Sequence, residues 1–368
     1  MGSLCNKKAQ DPLLDESDIN NSSSRINEKD FTPIKLIGKG SYGEVFLVRY
    51  KKNNHIYAMK VLSKSFLREQ NQENNTRSER NLMAQIHNPF IVNIKYAFQN
   101  DSKLYLVQEF VQGGDLFLHI HTHPKFPNEK AKFYIIELCL VIQFLHKNNM
   151  IYRDLKPENI LIGADGHIKI TDFGLCKILS NVDKTYTICG TVQYLAPEII
   201  AGEGYNNSVD WWSLGCIMYE MLVGKFPFKY KKNGKLTIDI FNKPIKYPSY
   251  IDERAKDLMS KFMEIDPQKR LGSGENGWEN IKNHPYFNGV DWIGAKNKKL
   301  KPPFLPNIDS ETDTKYFEKI FTDEPVYNDQ GDALYNEDNE CEENYNGFTY
   351  VNGSYTEMKS ILSQDDEM

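Results

Sequence analysis

Several stretches of the chain place phosphate-handling residue types at fixed spacings. Gly38-Lys39-Gly40-Ser41-Tyr42-Gly43-Glu44-Val45 is a G-x-G-x-x-G-x-V run. Glycines let a backbone approach phosphate oxygens closely and leave N–H groups to donate to them. Alone, the run also fits an ordinary glycine turn or a dinucleotide-binding fold. That fold needs a helix straight after the third glycine and an acid about 20 residues on; here a β-prone run follows. Next comes Tyr57-Ala58-Met59-Lys60, whose lysine can reach α/β-phosphates from a strand, although a single strand lysine is usually just solvated. The middle of the chain carries Tyr152-Arg153-Asp154-Leu155-Lys156-Pro157-Glu158-Asn159, then Asp172-Phe173-Gly174, then Ala196-Pro197-Glu198.

In order and spacing these motifs match the protein-kinase signature set. The sequence resembles a protein kinase over residues 31–287, and five separate motifs agree. Phosphoryl transfer passes through a loose transition state, so catalysis is mostly positioning and charge neutralisation. The resemblance therefore implies ATP and Mg²⁺, with Asp154 accepting the substrate hydroxyl proton and Lys156 neutralising the transferring phosphate. Asn159 and Asp172 would hold the metal, and Lys60 would pin the phosphates while paired with Glu79. Ile37, Gly38, Lys39, Gly40, Ser41, Tyr42, Gly43, Val45, Ala58, Gln108, Glu109, Val111 and Asp115 complete the implied ATP site. Gln108 takes the gatekeeper position, where an apolar residue is commoner, and should re-wire the back pocket for inhibitors without abolishing ATP binding. Lysine at 156 resembles serine/threonine rather than tyrosine kinases. The intact catalytic set argues against a silent pseudokinase scaffold, and Ala196-Pro197-Glu198 argues against a lipid or small-molecule kinase.

Tyr152 before Arg-Asp, Thr185-Tyr186-Thr187-Ile188-Cys189-Gly190-Thr191 and Val209-Asp210-Trp211-Trp212-Ser213-Leu214-Gly215 together resemble the AGC group. So do the tail segments Lys301-Pro302-Pro303-Phe304-Leu305-Pro306, Asp313-Thr314-Lys315-Tyr316-Phe317 and Tyr345-Asn346-Gly347-Phe348-Thr349-Tyr350. The similarity is nearest to protein kinase B, the ribosomal-protein S6 kinases and the serum/glucocorticoid-regulated kinases. It implies activation by phosphorylation of Thr187, with Arg153 as the phosphate clamp, and of Thr349 in a hydrophobic motif. Tyr345, Phe348 and Tyr350 would dock the tail into a small-lobe pocket, where an upstream kinase would also bind. Asp115, Glu158 and Glu220 match positions that read basic residues, so the implied substrates are proteins with arginine upstream of Ser/Thr. Relatives carry a Ser/Thr-Pro site in the tail; here Thr322-Asp323-Glu324-Pro325 puts a carboxylate before the proline.

The elements that must position these groups follow a change of period. Residues 1–30, with the Asn20–Ser24 polar run, are expected to be mobile, and order is expected to begin near Phe31. With thirty residues before the core, no pleckstrin-homology domain is expected there. Leu36–Ile37, Val45–Tyr50, His55–Leu62 and Leu104–Phe110 read as strands, and Asn74–Ile86 as a helix. Asn128 should cap a helix with Phe133, Ile136, Leu140 and Phe144 on one face, and Val209–Leu222 and Glu253–Met263 are helical. The expected fold is a bilobal α+β protein-kinase fold: small lobe 31–110, large lobe 111–287, C-terminal tail 288–361 and a disordered 362–368.

Composition agrees. The chain has 368 residues, 40% apolar and 26% charged, with net charge −5. Residues 301–368 hold 17 of the 50 acids but 4 of the 45 bases, so an acidic tail follows a mildly basic core. No basic stripe interleaved with aromatics points to nucleic acid. No stretch approaches the roughly 20 apolar residues of a membrane span. Six scattered cysteines read as reduced thiols, so the expectation is a cytoplasmic, monomeric enzyme. His119-Ile120-His121-Thr122-His123 has poor metal spacing. Met1-Gly2-Ser3-Leu4-Cys5-Asn6 resembles an acylation start but has Asn6 where Ser/Thr belongs, so membrane anchoring is a minor alternative.

Overall fold

A computed structural model describes residues 26–40, 43–179, 184–228, 241, 244–328, 331–332, 345 and 347–352. The expectations for 1–25, 362–368, Ser41 and Tyr42 lie outside the described residues. The small lobe is an antiparallel sheet of β1 (Phe31–Gly40), β2 (Gly43–Tyr50), β3 (Ile56–Ser63), β4 (Ile94–Gln99) and β5 (Lys103–Glu109). Its strand order is β1-β2-β3-β5-β4, with β12 (Tyr350–Val351) from the tail added beside β4. Phe31 stacks on Tyr50 and Phe98, and Phe98 on Tyr105, so aromatic faces fill one side of the sheet. The other side packs on α2 (Glu73–Gln85), preceded by a short α1 (Lys64–Glu69).

Two boundaries differ from the sequence reading. Regular structure is already present before Phe31: Glu28–Asp30 form a 3₁₀ turn closed by a capping box, and Ile26 packs on the small-lobe core. In that box Asn27 N–H donates to Asp30 at 3.0 Å and the Asn27 side chain accepts in return. Asn128 does not cap its helix. The carbonyl of Pro127 accepts the first intrahelical bond, from Ala131, so Asn128 becomes the first helical residue. Its side-chain oxygen instead accepts from the Tyr286 hydroxyl at 3.2 Å.

The large lobe is helical: α3 (Leu116–Thr122), α4 (Asn128–Lys147), α5 (Pro197–Ile200), α6 (Ser208–Val223), α7 (Glu253–Phe262), α8 (Gly277–Lys282) and α9 (Trp292–Lys296). Every residue of α6 is buried, and the helix stops at Gly224, whose φ of 71° only glycine adopts without strain. Trp211 stacks on Phe262 of α7, and Trp212 on Phe228. The short pairs β6 (Met150–Ile151) with β9 (Lys177–Ile178), and β7 (Ile160–Ile162) with β8 (Ile168–Ile170), shape the floor of the cleft. Arg270 makes a buried two-point ion pair with Glu198, at 2.6 and 2.9 Å, which ties α5 beneath the activation segment.

The tail then climbs both lobes. Phe317 stacks on Phe110 at 5.5 Å, where the lobes join. Phe321 of α10 (Lys319–Thr322) and Val326 beyond it pack on the small-lobe core, and β10 (Tyr327–Asn328) pairs with β11 (Gly331–Asp332).

Candidate active site

A cleft of about 990 Å³ opens between the lobes, lined by Gly40, Gly43, Val45, Lys60, Asp154 and Asp172 among others. Gly43 sits hard against β3: a Cβ there would meet the Val61 carbonyl oxygen at 2.0 Å. Lys60 Nζ lies 3.2 Å from Glu79 Oε1 and 3.4 Å from Asp172 Oδ1, joining β3, α2 and the Asp-Phe-Gly turn in one cluster. Burial opposes the charge on Lys60, but the Asp172 and Glu79 carboxylates overcome it and hold the pKa above the lysine range. The Lys60 charge in turn holds Asp172 below the usual carboxylate range.

Asp154 is fixed from three directions. Lys156 Nζ lies 3.0 Å from Oδ2, Asn159 Nδ2 donates to Oδ2 at 3.1 Å, and Thr191 donates to Oδ1 through its N–H at 2.9 Å and its hydroxyl at 2.8 Å. Lys156 also donates to Thr191 Oγ1 at 3.0 Å. Below, buried Asp210 accepts from the N–H groups of Tyr152 and Arg153 at 3.0 and 2.9 Å. That clamp supports Arg153 at φ 70°, and Asp172 at φ 59° is the second non-glycine residue held left-handed at the site. The Tyr152 hydroxyl donates to the Thr171 carbonyl, and its ring meets Phe173 edge-on at 5.3 Å. Thr191 and Asp210 lie within the motifs around the activation segment and α6, but neither residue type announces a positioning function.

Other expected residues divide. Ala58 and Gln108 pair across β3 and β5, with Val111 buried just beyond and Ile37 buried on β1. Gln108 Nε2 donates to Met83 Sδ of α2 at 3.4 Å. The Glu109 carboxylate accepts from Asn93 N–H at 2.8 Å and from Lys169 Nζ at 2.7 Å. Lys39 turns to the tail, 2.9 Å from Glu324 and 3.3 Å from Glu44. Buried Glu79 lines the cleft beside its partner Lys60.

The three acids expected to read basic residues share one field. Burial pushes the Asp115 carboxyl up to about 6 although it accepts from Leu118 N–H at the start of α3, and the charges of Glu158 and Glu318 add to the rise. Burial raises Glu220 too, with Glu158 adding, while the Tyr194 hydroxyl donates to it at 2.7 Å. His119 of the histidine tract bonds the Gly113 carbonyl at 2.7 Å. Among the described residues no group of three or more His, Cys, Asp or Glu could hold a metal ion.

In the activation segment Thr185 is buried, bridged to Tyr205 and bonded by Lys177 Nζ at 3.2 Å, whereas Thr187 is exposed and lines the cleft with Arg153 and Lys177. The tail motif lies in a small-lobe groove. Tyr345 and Phe348 are buried, Arg80 donates to the carbonyls of Phe348 and Thr349 at 3.0 and 2.8 Å, and the Thr349 side chain is exposed.

Comparison with known proteins fits this geometry. Residues 31–287 match the protein kinase domain, and 308–350 the protein kinase C terminal domain. The chain belongs to the AGC-group serine/threonine protein kinases. Serine/threonine-protein kinase gad8 of Schizosaccharomyces pombe is 46% identical over 83% of this kinase and 53% of its own length. The RAC family serine/threonine-protein kinase homolog of Dictyostelium discoideum is 42% identical, covering 89% and 73%. Ribosomal protein S6 kinase beta of Caenorhabditis elegans is 40% identical, covering 95% and 65%. The kinase thus spans from about half to three quarters of these relatives.

Proposed function

We propose that this kinase transfers the γ-phosphate of ATP to serine and threonine in proteins with arginine upstream of the acceptor. The observation that carries the reading is Asp154, oriented by Lys156, Asn159 and Thr191 and facing a cleft that also holds Lys60 and Asp172. Asp154 accepts the proton of the attacking hydroxyl, Lys156 offsets charge on the phosphoryl group in flight, and Lys60, steadied by Glu79, holds the α/β-phosphates. The donor set suits magnesium. Asp172 offers a carboxylate in the cleft, and Asn159, whose amide nitrogen is committed to Asp154, has an amide oxygen to give. One or two hard oxygen donors from protein, completed by phosphates and water, are what Mg²⁺ takes. When bound it would neutralise phosphate charge.

Asp115, Glu158 and Glu220 supply the negative field for an arginine-bearing substrate. Thr187 is the regulatory phosphosite of this reading: it is exposed beside Arg153 and Lys177, while Thr185 is buried and bonded. A phosphate there gains charge-assisted bonds to two cations. Thr349, exposed on a seated tail, is the second, and the groove that holds the tail is where an upstream activating kinase engages it. Four described cysteines are free thiols, in keeping with a cytoplasmic place in signalling.

The test is transfer of labelled phosphate from Mg·ATP to a serine peptide with upstream arginines and to its alanine counterpart. Labelling of the arginine peptide alone, abolished in D172A, is expected from protein phosphorylated on Thr187. Equal labelling of both peptides refutes the basic preference, and silence of the phosphorylated protein refutes the kinase reading.

A further inference from the structure

The first aromatic of the tail motif is a tyrosine, and its surroundings use every part of it. The Tyr345 ring is 1% exposed, with the Arg77 guanidinium 4.7 Å and the Lys64 ammonium 5.5 Å from its centroid. The side-chain amide of Gln99, on β4, clasps the tyrosine's backbone from both sides. Tyr345 N–H donates to Gln99 Oε1 and Gln99 Nε2 donates to the Tyr345 carbonyl, each at 3.0 Å. The hydroxyl donates to Glu73 Oε1 at 3.0 Å, and Glu73 is the first residue of α2. Arg68 of α1 lies 3.8 Å from the same carboxylate oxygen.

The clasp and the cations would hold phenylalanine as well; the Glu73 bond is made by the hydroxyl that phenylalanine lacks. A buried phenol needs a partner, and a bond to a carboxylate is stronger than one between neutral groups. Glu73 also sits where the positive end of the helix dipole favours a carboxylate, so the hydroxyl bonds a group that is already fixed. We propose that the Tyr345 hydroxyl is a selectivity latch: it makes the groove prefer this tail over one with phenylalanine at that position. It also couples seating of the tail to the N-terminal end of α2, six residues from Glu79. Tyr345 and Glu73 are then positioning residues that act on the reaction through the Lys60–Glu79 pair. The proposal rests on the reading that the seated tail supports activity.

The experiment uses the full chain phosphorylated on Thr187, with Y345F, F348A, E73L, E73Q and the Y345F/E73L double variant. Peptide phosphorylation and hydrogen exchange of residues 73–85 are both followed. Loss of one such bond should lower kcat about fivefold in Y345F, leave KM for the peptide within about twofold, and speed exchange at the start of α2. E73L should match Y345F, the double variant should be no worse than either, and E73Q, which keeps an acceptor oxygen, should recover most of the activity that E73L loses. Additive losses in the double variant, or Y345F within about twofold of wild type while F348A is impaired, overturn the latch and leave tail docking standing. If F348A is also unchanged, the docking reading falls with it.

Discussion

The catalytic cleft and the tail groove lie on two faces of one helix, α2, and are built by different physics. Thr76, Glu79 and Met83 form the face turned to the lobe interior, and Glu79 delivers its carboxylate to Lys60 there. Glu73, Arg77, Arg80 and Ala84, also spaced for one stripe of a helix, meet the tail. The cleft is made of charges that fix one another and of two residues in left-handed backbone. The groove is made of rings held against cations, main-chain carbonyls, the Tyr345–Glu73 bond and a strand pairing, Tyr350 with Ala97 and Val351 with Tyr96. A charge set fails when one member is replaced, whereas a shape-and-backbone dock fails by degrees. The helix between them is where the state of one can reach the other.

The sharpest break in that comparison is D154N. An asparagine keeps the shape, and the donors Lys156 and Thr191 are still nearby, yet the proton acceptor is gone. A loss of about 10³-fold in kcat is expected, with the melting temperature little changed, as read by peptide phosphorylation and calorimetry. The groove should answer oppositely. F348A removes a ring that is 2% exposed, so the tail should leave β4 and kcat should fall only about tenfold, while hydrogen exchange rises at Tyr96 and Ala97. Similar losses in the two variants would erase the distinction.

The same contrast explains what was legible in the sequence. Lys60, Asp154, Lys156, Asn159 and Asp172 could be named because phosphoryl transfer admits few residue types at those spacings, and the structure brings them together. The two lobes were legible because period-2 runs give way to helical ones. Strand β4 was missed: Ile94–Gln99 reads as mixed polar and aromatic, and becomes a strand only because β5 on one side and the tail on the other pair with it. Short α1 was missed for lack of length; Ser63 caps it through its side chain, but six residues show no periodicity. Thr191, Asp210 and Gln99 escaped notice because their work is to hold other groups, and that depends on contacts far away in the chain.

Between cleft and groove in expected effect stands the acidic patch, where pH is the probe. Asp115 titrates at about 6, raised by burial and by Glu158. Above that pH it is ionised and attracts an arginine; as pH falls through it, the proton removes that attraction. KM for an arginine peptide should therefore rise about threefold from pH 7 to 5.5, with no such rise for an arginine-free peptide or in D115N. A KM for the arginine peptide that stays flat across that range would remove Asp115 from substrate reading.

The smallest effect expected is at the ion pair that joins the tail to the cleft's glycine-rich strand. Glu324, the carboxylate that stands before Pro325, is 2.9 Å from Lys39, and the Lys39 pKa is raised chiefly by that bond. Both side chains are about two-fifths exposed, 41% and 42%. Exposed pairs of this kind contribute about 0–1 kcal/mol and weaken with salt. Phe321 and Val326 on either side already seat this stretch by burial, so the pair adds register rather than adhesion. E324Q should raise KM for ATP by no more than about twofold, and the difference should vanish at high ionic strength. A larger change that survives 1 M salt would mean the carboxylate positions the glycine-rich loop directly, and the tail would then govern the cleft through two routes rather than through α2 alone.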